Sequence, residues 1–87
     1  MYVILVYDVA QTRVARVLRI GRRYLSWVQN SVLEGELSEV QLRELLHALG
    51  KVIDETQDSV IIFKFRQEKW VDRVVIGREK GGTDFIL

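Results

Sequence analysis

Ser26-Trp27-Val28-Gln29-Asn30-Ser31-Val32-Leu33-Glu34 followed by Gly35-Glu36-Leu37-Ser38-Glu39-Val40-Gln41-Leu42 is the stretch on which the fold turns. Its first half alternates and is rich in β-formers, with Asn30-Ser31 placed for a tight turn or bulge, so it reads as one bent strand or a short hairpin. Its second half starts a helix. Ser38 stands as N-cap, Gln41 is spaced as its capping-box partner, and Leu37 faces Leu42 as a hydrophobic staple. Beyond it Leu45, Leu46, Leu49, Val52 and Ile53 continue a helical core stripe, with Gly50 near the end.

Working outward, Met1 to Val6 is almost continuously apolar and β-branched, as expected of a central strand, and it stops at Tyr7-Asp8. Thr12 to Leu25 reads as a helix whose apolar positions are Val14, Val17, Leu18, Tyr24 and Leu25. Arg13, Arg16 and Arg19 recur every third residue beside that stripe. On the other side, Val60 to Phe65 and Val71 to Ile76 read as strands joined by the charged residues Arg66 to Lys69, and Gly77 ends the second. Gly81-Gly82 makes a joint before Thr83 to Leu87, an ending too apolar to stay uncovered.

Strand, helix, strand or hairpin, helix and strands in this order give an α+β, ferredoxin-like βαββαβ domain, with an antiparallel sheet carrying two helices on one face. Residues 1–87 form one domain, with a core at 1–77 and a C-terminal extension at 78–87. The last residues read as a fifth strand able to pair with a neighbour's open sheet edge, which predicts a homodimer with exchanged ends. At 87 residues the chain buries only about 60% of its unfolded surface, and a partner subunit compensates for that.

Composition narrows the chemistry. The chain has no cysteine, which excludes a disulfide scaffold, a thiolate zinc site and a Cys nucleophile and fits the cytoplasm. No segment reads as a signal peptide or membrane span. The single histidine, His47, falls off the apolar stripe of its helix and reads as exposed; no second His or Cys exists to share a metal with it. The glycines have neither phosphate-loop nor dinucleotide-fingerprint spacing. Trp27 and Trp70 read as core or interface residues, and Ser31 as a turn residue.

Charge is unevenly distributed. Residues 1–30 carry Arg13, Arg16, Arg19, Arg22 and Arg23 against Asp8 alone, whereas residues 31–60 carry seven acids against Arg43 and Lys51. Such blocks suit an anionic partner on one face and a basic partner on another, or are simply solvated helix faces.

Asp8 asks for an explanation, because a carboxylate at the end of a buried strand needs a partner. It could cap the following helix or pair with Arg13. Alternatively it binds Mg²⁺, which is held by one or two carboxylates with water and substrate phosphates; a two-fold dimer would bring two copies of Asp8 to one ion.

Tyr7-Asp8-Val9, the segment Trp27 to Leu37, the strand Asp58-Ser59-Val60-Ile61-Ile62-Phe63, and Val75-Ile76-Gly77 with Phe85-Ile86-Leu87 occur in one order across the chain. Together they resemble the small CRISPR-associated endoribonuclease family of the spacer-acquisition machinery, partner of the CRISPR integrase in antiviral defence. The resemblance implies a ferredoxin-like homodimer and Mg²⁺-dependent phosphodiester hydrolysis of single-stranded RNA or double-stranded DNA. It makes Asp8 the catalytic residue and metal ligand, and it gives Arg13 and Arg16 to phosphate contact; the basic flank of the first helix adds Arg19 to the residues expected to bind nucleic acid. Tyr7, Phe85, Ile86 and Leu87 are expected at the dimer interface. The sequence departs from the family pattern in Val9 to Thr12, which lack the usual acidic or Pro-containing turn and so leave the register of Arg13 and Arg16 open by about a residue, and in Leu33, where Phe is common. The competing reading is a non-catalytic dimeric scaffold that binds duplex backbone for the integrase; a remoter one is a toxin-type RNA-cleaving protein.

Overall fold

The chain's own apolar pattern builds the sheet. The structure, a computed structural model, describes residues 1–78 and Lys80. Strand β1 (Tyr2–Asp8) is followed by α1 (Gln11–Gly21), β2 (Ser26–Gln29), β3 (Val32–Glu36), α2 (Glu39–Gly50) and β4 (Ser59–Phe65), with a single 3₁₀ turn at Glu68–Trp70. The four strands form one antiparallel sheet in the order β2-β3-β1-β4. This is the expected ferredoxin-like arrangement, completed by β4.

Side chains alternate along β1. Val3, Leu5 and Tyr7 enter a core shared with Leu33 of β3, Val17 of α1, and Leu42, Leu45 and Leu49 of α2, so both helices cover the same face. Leu5 lies opposite Leu33 and Ile62, and both Leu5 and Leu33 are fully buried. The other face carries no helix. There Ile4 lies opposite Phe63, and Val6 opposite Ile61; Ile61 and Phe63 remain about half exposed, at 50% and 49%.

The segment 26–36 resolves as a hairpin. Asn30 adopts φ 43°, a left-handed conformation that asparagine tolerates better than most residues, and the register shifts between Trp27 and Gln29. The Trp27 indole N–H donates to the Asn30 carbonyl at 3.0 Å, and the Tyr7 amide donates to the Ser31 carbonyl at 3.0 Å. The capping box of α2 is present as read: the Gln41 amide donates to Ser38 Oγ at 3.1 Å and the Ser38 amide to Gln41 Oε1 at 2.9 Å.

Several boundaries differ from the sequence reading. Helix α1 ends at Gly21 rather than Leu25, and the chain then turns so that the Leu25 amide bonds the Gly21 carbonyl at 2.9 Å while its side chain still reaches the core. A Cβ at Gly21 would approach Leu33 Cδ1 to 3.1 Å, so glycine lets α1 lie close on β3. Helix α2 ends at Gly50, and Leu46 is 40% exposed instead of lying in the core stripe. Val71 to Ile76 is no strand. Its composition favours one, but a strand needs a ladder partner: Arg73 instead pairs with Glu34 on the helix-free face, and Val74 and Ile76 stay exposed. The joint at Gly81-Gly82, the expected fifth strand and Phe85, Ile86 and Leu87 lie outside the described residues.

Candidate nucleic-acid and metal site

Asp8 is the last residue of β1 and points to the helix-free face, in phase with Ile4 and Val6. It is exposed, lies opposite Ser59, and its carboxylate enters no hydrogen bond or ion pair among the described residues. Neither structural role considered for it is realised. The N-cap of α1 is Ala10, without a side-chain capping bond, and Arg13 pairs elsewhere.

The partner of Arg13 is Asp58. Arg13 Nε donates to Asp58 Oδ2 at 2.6 Å and Nη2 to Oδ1 at 3.1 Å, the bidentate geometry that suits a guanidinium and a carboxylate. The Ala10 amide adds a bond to Oδ1 at 2.9 Å and the Asp54 amide one to Oδ2 at 2.8 Å. Each oxygen therefore accepts two bonds, and the side chain is wholly enclosed at 0% exposure. The Arg13 side-chain bond, reinforced by the two amides, holds the Asp58 carboxyl well below the usual carboxylate range despite its burial. Asp54 is likewise lowered, through bonds from the Thr56 side chain and amide. In the sequence Asp58 reads only as the edge of a strand, so its anchoring role is not legible there.

The other arginines of residues 1–30 face solvent. Arg16 and Arg19 follow Arg13 at successive turns of α1 and are exposed, as are Arg22 and Arg23 beyond its end. Ala15, Leu18, Arg19 and Arg22 line an open groove of about 390 Å³. Of the three arginines expected to contact nucleic acid, Arg16 and Arg19 are thus presented outward, whereas Arg13 has two of its nitrogens committed to Asp58.

Tyr7, expected at a dimer interface, is 3% exposed and belongs to the core of its own chain, because odd positions of β1 face the helices. Burial raises its phenol pKa, and a side-chain bond with Ser31 partly offsets this. His47 is exposed as read, Trp27 packs against the core, and Trp70 is 63% exposed with the Lys69 ammonium 5.9 Å from its ring.

A hard-oxygen donor that is exposed and unengaged is what Mg²⁺ takes, together with water and phosphate oxygens. Asp8 fits that description as one ligand. Among the described residues no three His, Cys, Asp or Glu side chains gather into a metal-binding group. No helix among those residues is long and apolar enough to cross a membrane.

A family model described as CRISPR associated protein Cas2 matches residues 1–73. The chain belongs to the Cas2 family. It is 49% identical over 87 residues to a protein of Thermotoga maritima and 46% identical over 87 residues to one of Dictyoglomus turgidum, covering 100% of both chains in each case; both are named CRISPR-associated endoribonuclease Cas2. A crystal structure described as that of cas2 superposes with a TM-score of 0.86 at 47% identity, covering 100% of this chain and 98% of the other. The family resemblance read from Tyr7-Asp8-Val9 and the later segments is therefore correct, and so is the α+β core of two helices on a four-stranded antiparallel sheet.

Proposed function

We propose that this chain is the subunit of a homodimeric endonuclease that hydrolyses phosphodiester bonds, with RNA as its first substrate class, in CRISPR spacer acquisition beside the CRISPR integrase. The observation that carries the reading is Asp8: an exposed carboxylate without a partner among the described residues, on the rim of a sheet face that is apolar and only partly covered. The endoribonuclease name borne by full-length relatives supports RNA, and duplex DNA is the alternative outcome of the test.

Dimerisation through the helix-free face would cover Ile61 and Phe63 and bring two copies of Asp8 toward one axis, where the two carboxylates would share one ion. Strand β4 is also an edge of the sheet among the described residues, and an exchanged C-terminal segment of a partner would pair there. Asp8 would hold Mg²⁺, whose chemistry at a phosphodiester is charge neutralisation and activation of water. Arg16 and Arg19 would grip the flanking backbone phosphates without reading bases. Arg13 would contribute to positioning through Asp58 rather than by direct clamping.

The second reading, a non-catalytic scaffold on duplex DNA, is favoured by one observation: the exposed row Arg16, Arg19, Arg22 and Arg23 suffices for backbone binding whether or not Asp8 acts. The deciding experiment compares the parent protein with Asp8→Ala on labelled single-stranded RNA and duplex DNA, with Mg²⁺ or EDTA, recording binding on the same samples. Cleavage that requires both Mg²⁺ and Asp8 is expected. Binding with Asp8-independent or absent cleavage would leave the scaffold.

A further inference from the structure

We infer that Asp58 is a positioning residue for Asp8, acting through the β1–α1 connection; the inference rests on the reading of Asp8 given above. Among the described residues Asp8 makes no side-chain bond, so the backbone that carries it sets the direction of its carboxylate. That backbone is held on both sides by one group. Two residues after Asp8, the Ala10 amide donates to Asp58 Oδ1 at 2.9 Å across 48 positions of sequence, and across the ladder Asp8 lies opposite Ser59, the residue next to Asp58. Arg13 ties the first turn of α1 to the same carboxylate, and the Asp54 amide ties in the loop before β4.

The arrangement is complete in a way a simple surface pair is not. Four donors from three residues fill the acceptor capacity of a carboxylate with no solvent exposure. Helix α1 has no side-chain cap from its own sequence, and Asp58 bonds the amide of its N-cap residue from a distance. The exit of β1, the start of α1 and the entry to β4 consequently move as one body, with Asp8 at its edge. Removing one acceptor from such a support displaces the residue it carries, and outer-shell changes of this kind cost 10–100-fold in activity or metal affinity.

The test uses Asp58→Asn, which keeps the shape and replaces one acceptor by a donor facing an amide or the guanidinium, beside Asp8→Ala. Rates are expressed per folded molecule from circular dichroism at the assay temperature. The expected result is a kcat lower by about tenfold or more, with KM and nucleic-acid affinity within about twofold of the parent because Arg16 and Arg19 are untouched. The Mg²⁺ concentration for half-maximal cleavage rises, and the Ala10 amide loses protection from hydrogen exchange. Should Asp58→Asn fail to fold, Arg13→Lys, which keeps the charge but loses the fork, is measured instead, with a smaller shift of the same signature. A parent-like kcat in these variants while Asp8→Ala is inactive overturns the positioning role alone, as does a loss that vanishes on correction for folded protein. Parent-like cleavage by Asp8→Ala overturns the site itself and this inference with it.

Discussion

Arg13 and Arg16 are one helical turn apart and chemically identical, yet they have different surroundings. Arg16 looks outward, while Arg13 meets a carboxylate 45 residues away that encloses its fork. Spacing along a helix predicts which side chains share a face, not which of them a distant loop will engage. The Asp58 pair has a pH signature whose sign follows from its shift. A carboxyl held below its unfolded value contributes stability that is fully present above that value and is lost as pH falls toward the folded one. The melting temperature of the parent protein should therefore stay level from neutral pH to about 5 and fall below about pH 4. Asp58→Asn should start lower and fall less steeply over that acid range. Parallel acid slopes in thermal melts of the two proteins would remove Asp58 as the source.

The two helices differ in where their N-termini are satisfied. Helix α2 carries its cap in four consecutive residues, Ser38 to Gln41, so its start could be read directly. Helix α1 begins at Ala10 with no local cap, and its support comes from Asp58, so its start and its end were less legible than its stripe. What α1 presents is a row of exposed guanidinium groups, and such groups bind phosphates through charge rather than base identity. Replacing Arg16 and Arg19 together with Ala should weaken binding to RNA or DNA about equally across sequences. It should also reduce the slope of log affinity against log salt by about two. Sequence-selective loss, or an unchanged slope in binding titrations across salt, would place the nucleic acid elsewhere.

Across the whole molecule the sheet is apolar on both faces but carries helices on only one. Strand β1 presents Val3, Leu5 and Tyr7 to the core and Ile4 and Val6 to the other side, where Ile61 and Phe63 of β4 continue the patch. A strand meant to face water on one side alternates apolar with polar residues, and β1 does not. Part of that face is crossed by the residues after β4: Arg73 pairs with Glu34, and Tyr2 is only 7% exposed. Burial raises the Tyr2 phenol pKa, with the Glu68 charge adding to the effect and Arg73 opposing it. A second copy is the cover proposed for the rest. Phe63→Glu should convert a dimer to a folded monomer in sedimentation velocity, and deletion of Phe85 to Leu87 should shift the same equilibrium in the same direction. An unchanged dimer in Phe63→Glu would exclude this face, and an unchanged dimer in the deletion would exclude strand exchange.

The order of elements from β1 to β4, a turn at Asn30-Ser31 in a segment that read as a bent strand or a hairpin, the capping box of α2 and the family itself were present in the sequence, because each rests on residues within one turn, one short segment or one ordered set of motifs. Asp8 was also identifiable, as a charge at the end of an apolar strand. Tertiary structure decided the rest. It turned Tyr7 into the core through the phase of β1, drew Arg13 to Asp58 across 45 residues, exposed Leu46, and left Val71 to Ile76 without a ladder. Each of these outcomes depends on which distant group comes to lie opposite a residue once the sheet has closed, and neither propensity nor spacing carries that information.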